Sequence, residues 1–69
     1  MDLDQIEAKL LIEKEIIVKR MTQAKPTSQR SAQYASALET FKDVLAIFQQ
    51  HGSAEMSAMI ERVRDARFA

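Results

Sequence analysis

One proline and one glycine divide the chain into three segments that contain no other strong helix breaker. Pro26 disfavours a helical conformation for the residue before it, and Gly52 stands where a left-handed residue would end a helix. Apolar residues make up 46% of the sequence, which is too many for a disordered chain. The sequence therefore predicts an all-α fold: an antiparallel helical hairpin (about 2–24 and 28–51) and a short third helix (about 53–67) that completes a bundle or a dimer.

Helix-capping residues support these boundaries. Asp2 followed by Gln5 three residues later is a capping-box pattern at the start of the first helix. Thr27 or Ser28 can cap the second helix, and Ser53 can cap the third. The connection between the first two helices is only a few residues long, so we expect them to pack as an antiparallel pair.

The second helix carries the aromatic stripe around which we expect the core to form. Its large apolar residues are spaced by four, three, four and three, which places them on one helix face: Tyr34, Leu38, Phe41, Leu45 and Phe48. The third helix offers a matching apolar face of Met56, Met59, Ile60, Val63 and Ala66. We expect these two faces to pack together.

The chain has more apolar surface than three short helices need. Ile12 and Ile16 point away from the main stripe of the first helix, and Val44 and Ile47 widen the apolar arc of the second. Small residues at the start of the second helix would allow another helix to approach closely. We therefore predict an interface with a partner or a second copy, formed by Ile12, Ile16, Val44, Ile47, Met56, Met59 and Phe68. The two methionines could instead fill the core, and Phe68 could pack back on the hairpin.

Length and charge favour association. We expect residues 1–69 to form a single helical domain, a size at which a lone core is barely sufficient and no cysteine is present to form a disulfide. Ten basic and ten acidic residues give a net charge of zero, which disfavours nucleic-acid and membrane partners. We expect Lys9, Lys14 and Lys19, with Glu13 and Glu15, to form a solvated face of the first helix.

The sequence offers no set of residues for catalysis. A single glycine cannot make a phosphate-binding loop, and the lone His51 is explained as a cation near a helix C-terminus. We therefore expect no enzymatic activity, no cofactor or metal and no small-molecule substrate. The N-terminus lacks the basic and apolar regions of a signal peptide, and no apolar run is long enough to span a bilayer, so we expect a cytoplasmic protein.

These observations favour a small non-catalytic protein–protein interaction module. Such a module would be an adaptor, a co-chaperone or an inhibitory or regulatory subunit, and it would act through apolar helix faces as a homodimer or in a hetero-complex. The alternative is a small dimeric transcriptional regulator associated with nucleic acid, which would present Arg62, Arg64 and Arg67. Those arginines do not share one helix face, and Phe48 occupies the position where a helix-turn-helix motif usually has a small residue.

In its plan of helix, short turn and helix, the chain resembles the small helical-hairpin co-chaperones that hold type III secretion needle subunits. The resemblance covers roughly residues 3–50. It implies two antiparallel helices that dock on a partner built from helical repeats. Residues 53–68 are an extension that such a hairpin does not need, and the resemblance assigns no functional residues.

Overall fold

A computed structural model describes residues 2–68, and three helices account for most of this range. They are α1 (Leu3–Gln23), α2 (Gln29–His51) and α3 (Ala54–Asp65). The molecule is elongated, with principal extents of 40 × 21 × 18 Å. The predicted all-α architecture is confirmed, and each helix boundary lies within about two residues of its expected position. No helix within residues 2–68 is both long enough and apolar enough to cross a membrane.

Each helix begins at a side chain that accepts a hydrogen bond from the first turn. At α1 the capping box is complete: the Asp2 carboxylate accepts from the Gln5 backbone N–H at 2.9 Å, and the Gln5 side chain accepts from the Asp2 backbone N–H at 3.1 Å. Ser28, rather than Thr27, caps α2, and Ser53 caps α3. Local side-chain chemistry therefore sets where all three helices start.

Gly52 ends α2 in a different way from the one predicted. Its φ of −98° and ψ of 175° are extended, so the expected left-handed termination is wrong. Ser53 follows at once as the cap of α3, and the extended residue lets the chain reverse direction within two positions. A Cβ at Gly52 would lie only 2.5 Å from Met56 Sδ. The glycine is therefore useful because Met56 packs closely over it.

The third helix folds back along the hairpin and runs parallel to α1. Long-range contacts show this direction: Glu7 binds Arg62, and Lys14, about two turns further along α1, donates to the carbonyls of Val63 and Ala66, further along the chain. Because α1 and α2 are antiparallel, α3 is also antiparallel to α2. All three pairs of helices are in contact. The result is a three-helix bundle in which two helices are long and one is short.

The core is centred on α3 and not on the aromatic stripe of α2. Within residues 2–68 the buried apolar side chains are those of Leu45, Met59, Ile60 and Val63. Half-buried residues surround them, namely Leu3, Ile6, Leu10, Leu11, Phe41 and Met56. Phe48 is 56% exposed, so its predicted place in the core is wrong. The cause is that α3 packs on the side of α2 that carries Leu45 and leaves the edge that carries Phe48 open.

Lys14 is buried at the end of α3, which contradicts its predicted place on a solvated face. Its side chain is 4% exposed, and its Nζ donates to the backbone carbonyls of Val63 at 2.8 Å, Arg64 at 2.6 Å and Ala66 at 2.9 Å. The last carbonyls of a helix have no partner within the helix, and an ammonium group carries three donors. Lys14 thus caps the C-terminus of α3 from a distant helix. Burial, and then the nearby charge of Lys42, lower the pKa of Lys14.

Candidate protein-binding surface

An apolar groove of about 200 Å³ opens where the three helices meet. Its walls come from α1 and α2, and residues of α3 complete it: Ile6, Leu10, Phe41, Val44, Leu45, Phe48, Met56, Met59 and Ile60. No charged residue lines it. Concave surfaces lined by apolar and aromatic side chains are typical of ligand and peptide sites. The groove is therefore the first candidate for a functional surface.

Large apolar side chains of α2 stand exposed at the edge of this groove. Val44 is 43% exposed and Phe48 is 56% exposed, and both line the groove. Ile47, which is 57% exposed, lies on the same stretch of helix. Single exposed apolar residues are common, but three within five positions, beside an apolar groove, form a patch that water solvates poorly. The prediction named Val44 and Ile47 and missed Phe48.

The second predicted patch lies on α1. Ile12 is 59% exposed and Ile16 is 40% exposed, so the chain itself leaves both in water. The residues of α1 that line the groove are Ile6 and Leu10. At 100° per residue, Ile12 is on the opposite side of α1 from this pair. The structure therefore does not bring the two predicted patches into one site.

The remaining predicted contact residues lie nearer the core. Met59 is 1% exposed and fills the core, which agrees with the alternative given for the methionines. Met56 is half-buried and lines the groove. Phe68 is half-buried beside Val18 and Thr22 of α1, where it lines a shallow depression. Its position agrees with the alternative that Phe68 packs back on the hairpin.

An ion pair holds the outer edge of α3 to α1. The Arg62 guanidinium donates to both carboxylate oxygens of Glu7, with Nε at 2.9 Å and Nη2 at 2.8 Å. This hydrogen bonding lowers the pKa of Glu7 and raises that of Arg62. Arg64 donates to the side-chain oxygen of Gln49 at 3.1 Å. Two of the three arginines of this region are thus engaged within the chain.

Charges are distributed unevenly along the molecule although they sum to zero. No acidic residue occurs between Glu15 and Glu39, a stretch that includes the hairpin turn and carries four basic residues: Lys19, Arg20, Lys25 and Arg30. Lys19 pairs with Glu15 at 3.6 Å. The opposite end of the hairpin carries acidic residues near the starts of α1 and α3, among them Asp2, Asp4 and Glu55. The turn end is therefore basic and the other end is acidic.

A signal for the missed residues was present in the sequence. The apolar arc of α2 covers about half of the helix, which is wider than contact with α1 and α3 alone requires. Phe48 lies at the border of that arc, so spacing alone could not decide whether it faces inward or outward.

Comparison with protein-family models, with curated proteins and with solved structures finds no match to this chain.

Proposed function

We propose that this chain is a small non-catalytic protein-binding module of the cytoplasm, of the adaptor, chaperone or inhibitor kind. It binds an apolar helix face of another protein chain, or of a second copy, at the apolar groove where the three helices meet. The observation that carries this proposal is the exposure of Val44 and Phe48 at the edge of an uncharged apolar groove. Helix-in-groove recognition uses this combination of an apolar channel and large anchoring side chains.

Covering this exposed surface would contribute favourably to binding. A phenylalanine contributes about 150–250 Å² of burial, so the 56% exposed part of Phe48 leaves roughly 100 Å² to cover. At about 25 cal/mol per Å², covering Phe48 alone contributes about 2.5 kcal/mol. Val44 and Ile47 add to this. Aromatic anchors in pockets commonly dominate the binding energy of an interface.

Photo-crosslinking in cells tests the proposal. A photoreactive phenylalanine analogue would replace Phe48, and in a separate variant Glu61, which is exposed on α3. After irradiation of the source organism's cells, the position 48 variant should form covalent adducts with a protein, either another chain or a second copy. The position 61 variant should form few or none. Equal labelling at the two positions, or no adduct at position 48, would refute the proposal.

The nucleic-acid alternative has weaker support from the geometry. Arg62 is bound by Glu7 and Arg64 by Gln49, so α3 does not present a set of unengaged arginines. The basic hairpin turn is the remaining region where phosphates could bind. Salt-dependent binding of DNA or RNA at micromolar protein, lost on Arg30→Glu, would support the alternative and displace the present proposal.

A further inference from the structure

The second helix carries two apolar stripes that share their aromatic residues. The inner stripe combines Tyr34, Phe41 and Phe48 with Leu38 and Leu45, and it packs in the bundle core at Phe41 and Leu45. The outer stripe combines the same three aromatics with two other residues at the same heptad spacing: Tyr34, Ala37, Phe41, Val44 and Phe48. At 100° per residue the centres of the two stripes are about 40° apart, so the outer stripe borders the packed side of α2. The chain covers only the inner side, because Val44 and Phe48 remain about half exposed.

We propose that the outer stripe packs against the outer stripe of a second copy of this chain, in antiparallel orientation, and forms a two-fold symmetric dimer. This inference rests on the proposed function and names the partner that covers the α2 surface. Three features of the described residues identify a second copy: the sizes of the side chains along the stripe, the positions of the charges on α2 and the charges at the two ends of the molecule.

Side-chain sizes along the outer stripe are complementary only in the antiparallel arrangement. The stripe is small at Ala37 and large at Phe48. In antiparallel heptad packing with its two-fold axis between positions 42 and 43, Ala37 lies opposite Phe48 of the second copy, and Phe41 lies opposite Val44 of the second copy. A parallel pair would place Phe48 against Phe48 and Ala37 against Ala37. Antiparallel packing therefore places a smaller residue opposite each phenylalanine, which allows the two helices to pack closely.

The charged residues of α2 do not obstruct this contact. Between positions 31 and 50 the helix has three of them, Glu39, Lys42 and Asp43. At 100° per residue all three lie more than 90° from the centre of the outer stripe. The positions that flank the stripe on its open side are occupied by Thr40 and Ile47, which carry no charge. Two copies can therefore approach without bringing like charges together.

The antiparallel orientation also brings opposite charges together at the ends of the dimer. Arg30 continues the outer stripe toward the basic hairpin turn, and in the antiparallel dimer it lies near the end of the second copy that carries Glu55, in the first turn of α3. Both side chains are exposed within the single chain. Each end of the dimer thus combines the basic end of one copy with the acidic end of the other. This complementarity selects the antiparallel orientation over the parallel one.

Sedimentation of the full chain over micromolar to millimolar concentrations tests the dimer. The wild type should sediment as a dimer at high concentration. Ala37→Glu should weaken the dimer by at least about 100-fold, because it buries an unpaired charge in the contact. Ser36→Glu is the matched control. Ser36 is the neighbour of Ala37 and is also exposed, but it lies outside the outer stripe, so this substitution should leave the dimer unchanged. Circular dichroism checks that both variants keep their helices.

Charge reversal tests the antiparallel orientation. Arg30→Glu alone and Glu55→Arg alone should each weaken the dimer by a few fold, and the double variant should restore it. Within one chain Arg30 and Glu55 lie at opposite ends of the molecule, roughly 30 Å apart. Restored dimerisation in the double variant can therefore come only from a contact between copies.

Three results would overturn the inference: a monomeric wild type at millimolar concentration, an unchanged dimer in Ala37→Glu, or no restoration in the double variant. A monomer that still forms position 48 adducts with another protein in cells would overturn only the inference and leave the proposed function standing. Absence of any adduct would overturn the proposed function itself.

Discussion

At the scale of single residues, Lys14 makes the least expected contact of the molecule. Its ammonium group reaches from the middle of α1 to three carbonyls at the end of α3, at 2.6–2.9 Å. A buried ammonium group is unfavourable unless its donors are satisfied, and here three acceptors match three donors. The contact therefore has two effects. It gives the buried ammonium group its acceptors, and it gives carbonyl groups at the end of α3 a donor.

Replacement of Lys14 by methionine should destabilise the fold by about 2 kcal/mol, because carbonyls at the end of α3 lose their donor while the apolar stem is kept. Thermal unfolding followed by circular dichroism should show a midpoint lower by about 10 °C for a domain of this size. Lys9→Met is the matched control, since Lys9 is exposed on the same helix and should change stability by less than about 0.5 kcal/mol. Equal effects of the two substitutions would contradict the capping role.

The Glu7–Arg62 pair should make stability depend on pH in the acidic range. The pKa of Glu7 is lowered below its ordinary value of 4.5 by the hydrogen bond from Arg62. The stabilisation is therefore fully present above pH 4.5 and is lost as pH falls through the lowered pKa. We expect Glu7→Gln to be less stable than the wild type at pH 7, with a difference that becomes smaller as pH falls below 4.5. Glu61→Gln, on the exposed face of α3, should show no such convergence.

The sequence could predict contacts between residues close in the chain, but it could not predict the contacts of Lys14 with α3 or of Glu7 with Arg62. Asp2 and Gln5 are three residues apart, so their mutual capping follows from helix geometry alone. Lys14 and its acceptors are 49–52 positions apart, and a lysine among charged neighbours has no feature that distinguishes it from a solvated one. Its role depends on where the end of α3 lies, which is decided by packing.

At the scale of helices, α3 contributes more to stability than its length suggests. Met59, Ile60 and Val63 are each at most 1% exposed, while the long helices α1 and α2 together contribute only Leu45 to the buried apolar residues described. The sequence predicted the apolar face of α3 correctly but expected α2 to organise the core. Heptad spacing identifies which residues share a face, and it does not tell how much of that face a short partner helix can cover.

Two isoleucine substitutions separate core from surface. Ile60→Ala should cost about 2–5 kcal/mol, since it opens a cavity at a residue that is 1% exposed. Ile47→Ala removes the same atoms from a residue of α2 that is 57% exposed, and it should cost less than about 1 kcal/mol in the monomer. Urea unfolding at low micromolar concentration gives both values. If Ile47→Ala cost as much as Ile60→Ala, the surface placement of Ile47 would be incorrect.

At the scale of the whole molecule, the geometry of the bundle explains why surface remains for a partner. The helices α1 and α2 have 21 and 23 residues and α3 has 12, so α3 can cover only part of the length of the hairpin. Beside α3, the groove edge at Val44 and Phe48 also stays open, because α3 packs on the side of α2 that carries Leu45. Small domains of this size bury too little surface to be very stable alone, and association adds the missing burial.

Association through this surface should make thermal stability depend on protein concentration. Only the folded state dimerises, so raising the concentration 100-fold contributes about 2.7 kcal/mol per dimer by mass action. For a chain of 69 residues this corresponds to a rise of several degrees in the unfolding midpoint. Scans by circular dichroism at about 5 and 500 μM protein would measure it. Ala37→Glu should abolish the dependence and Ser36→Glu should preserve it. A midpoint that is independent of concentration in the wild type would contradict the dimer.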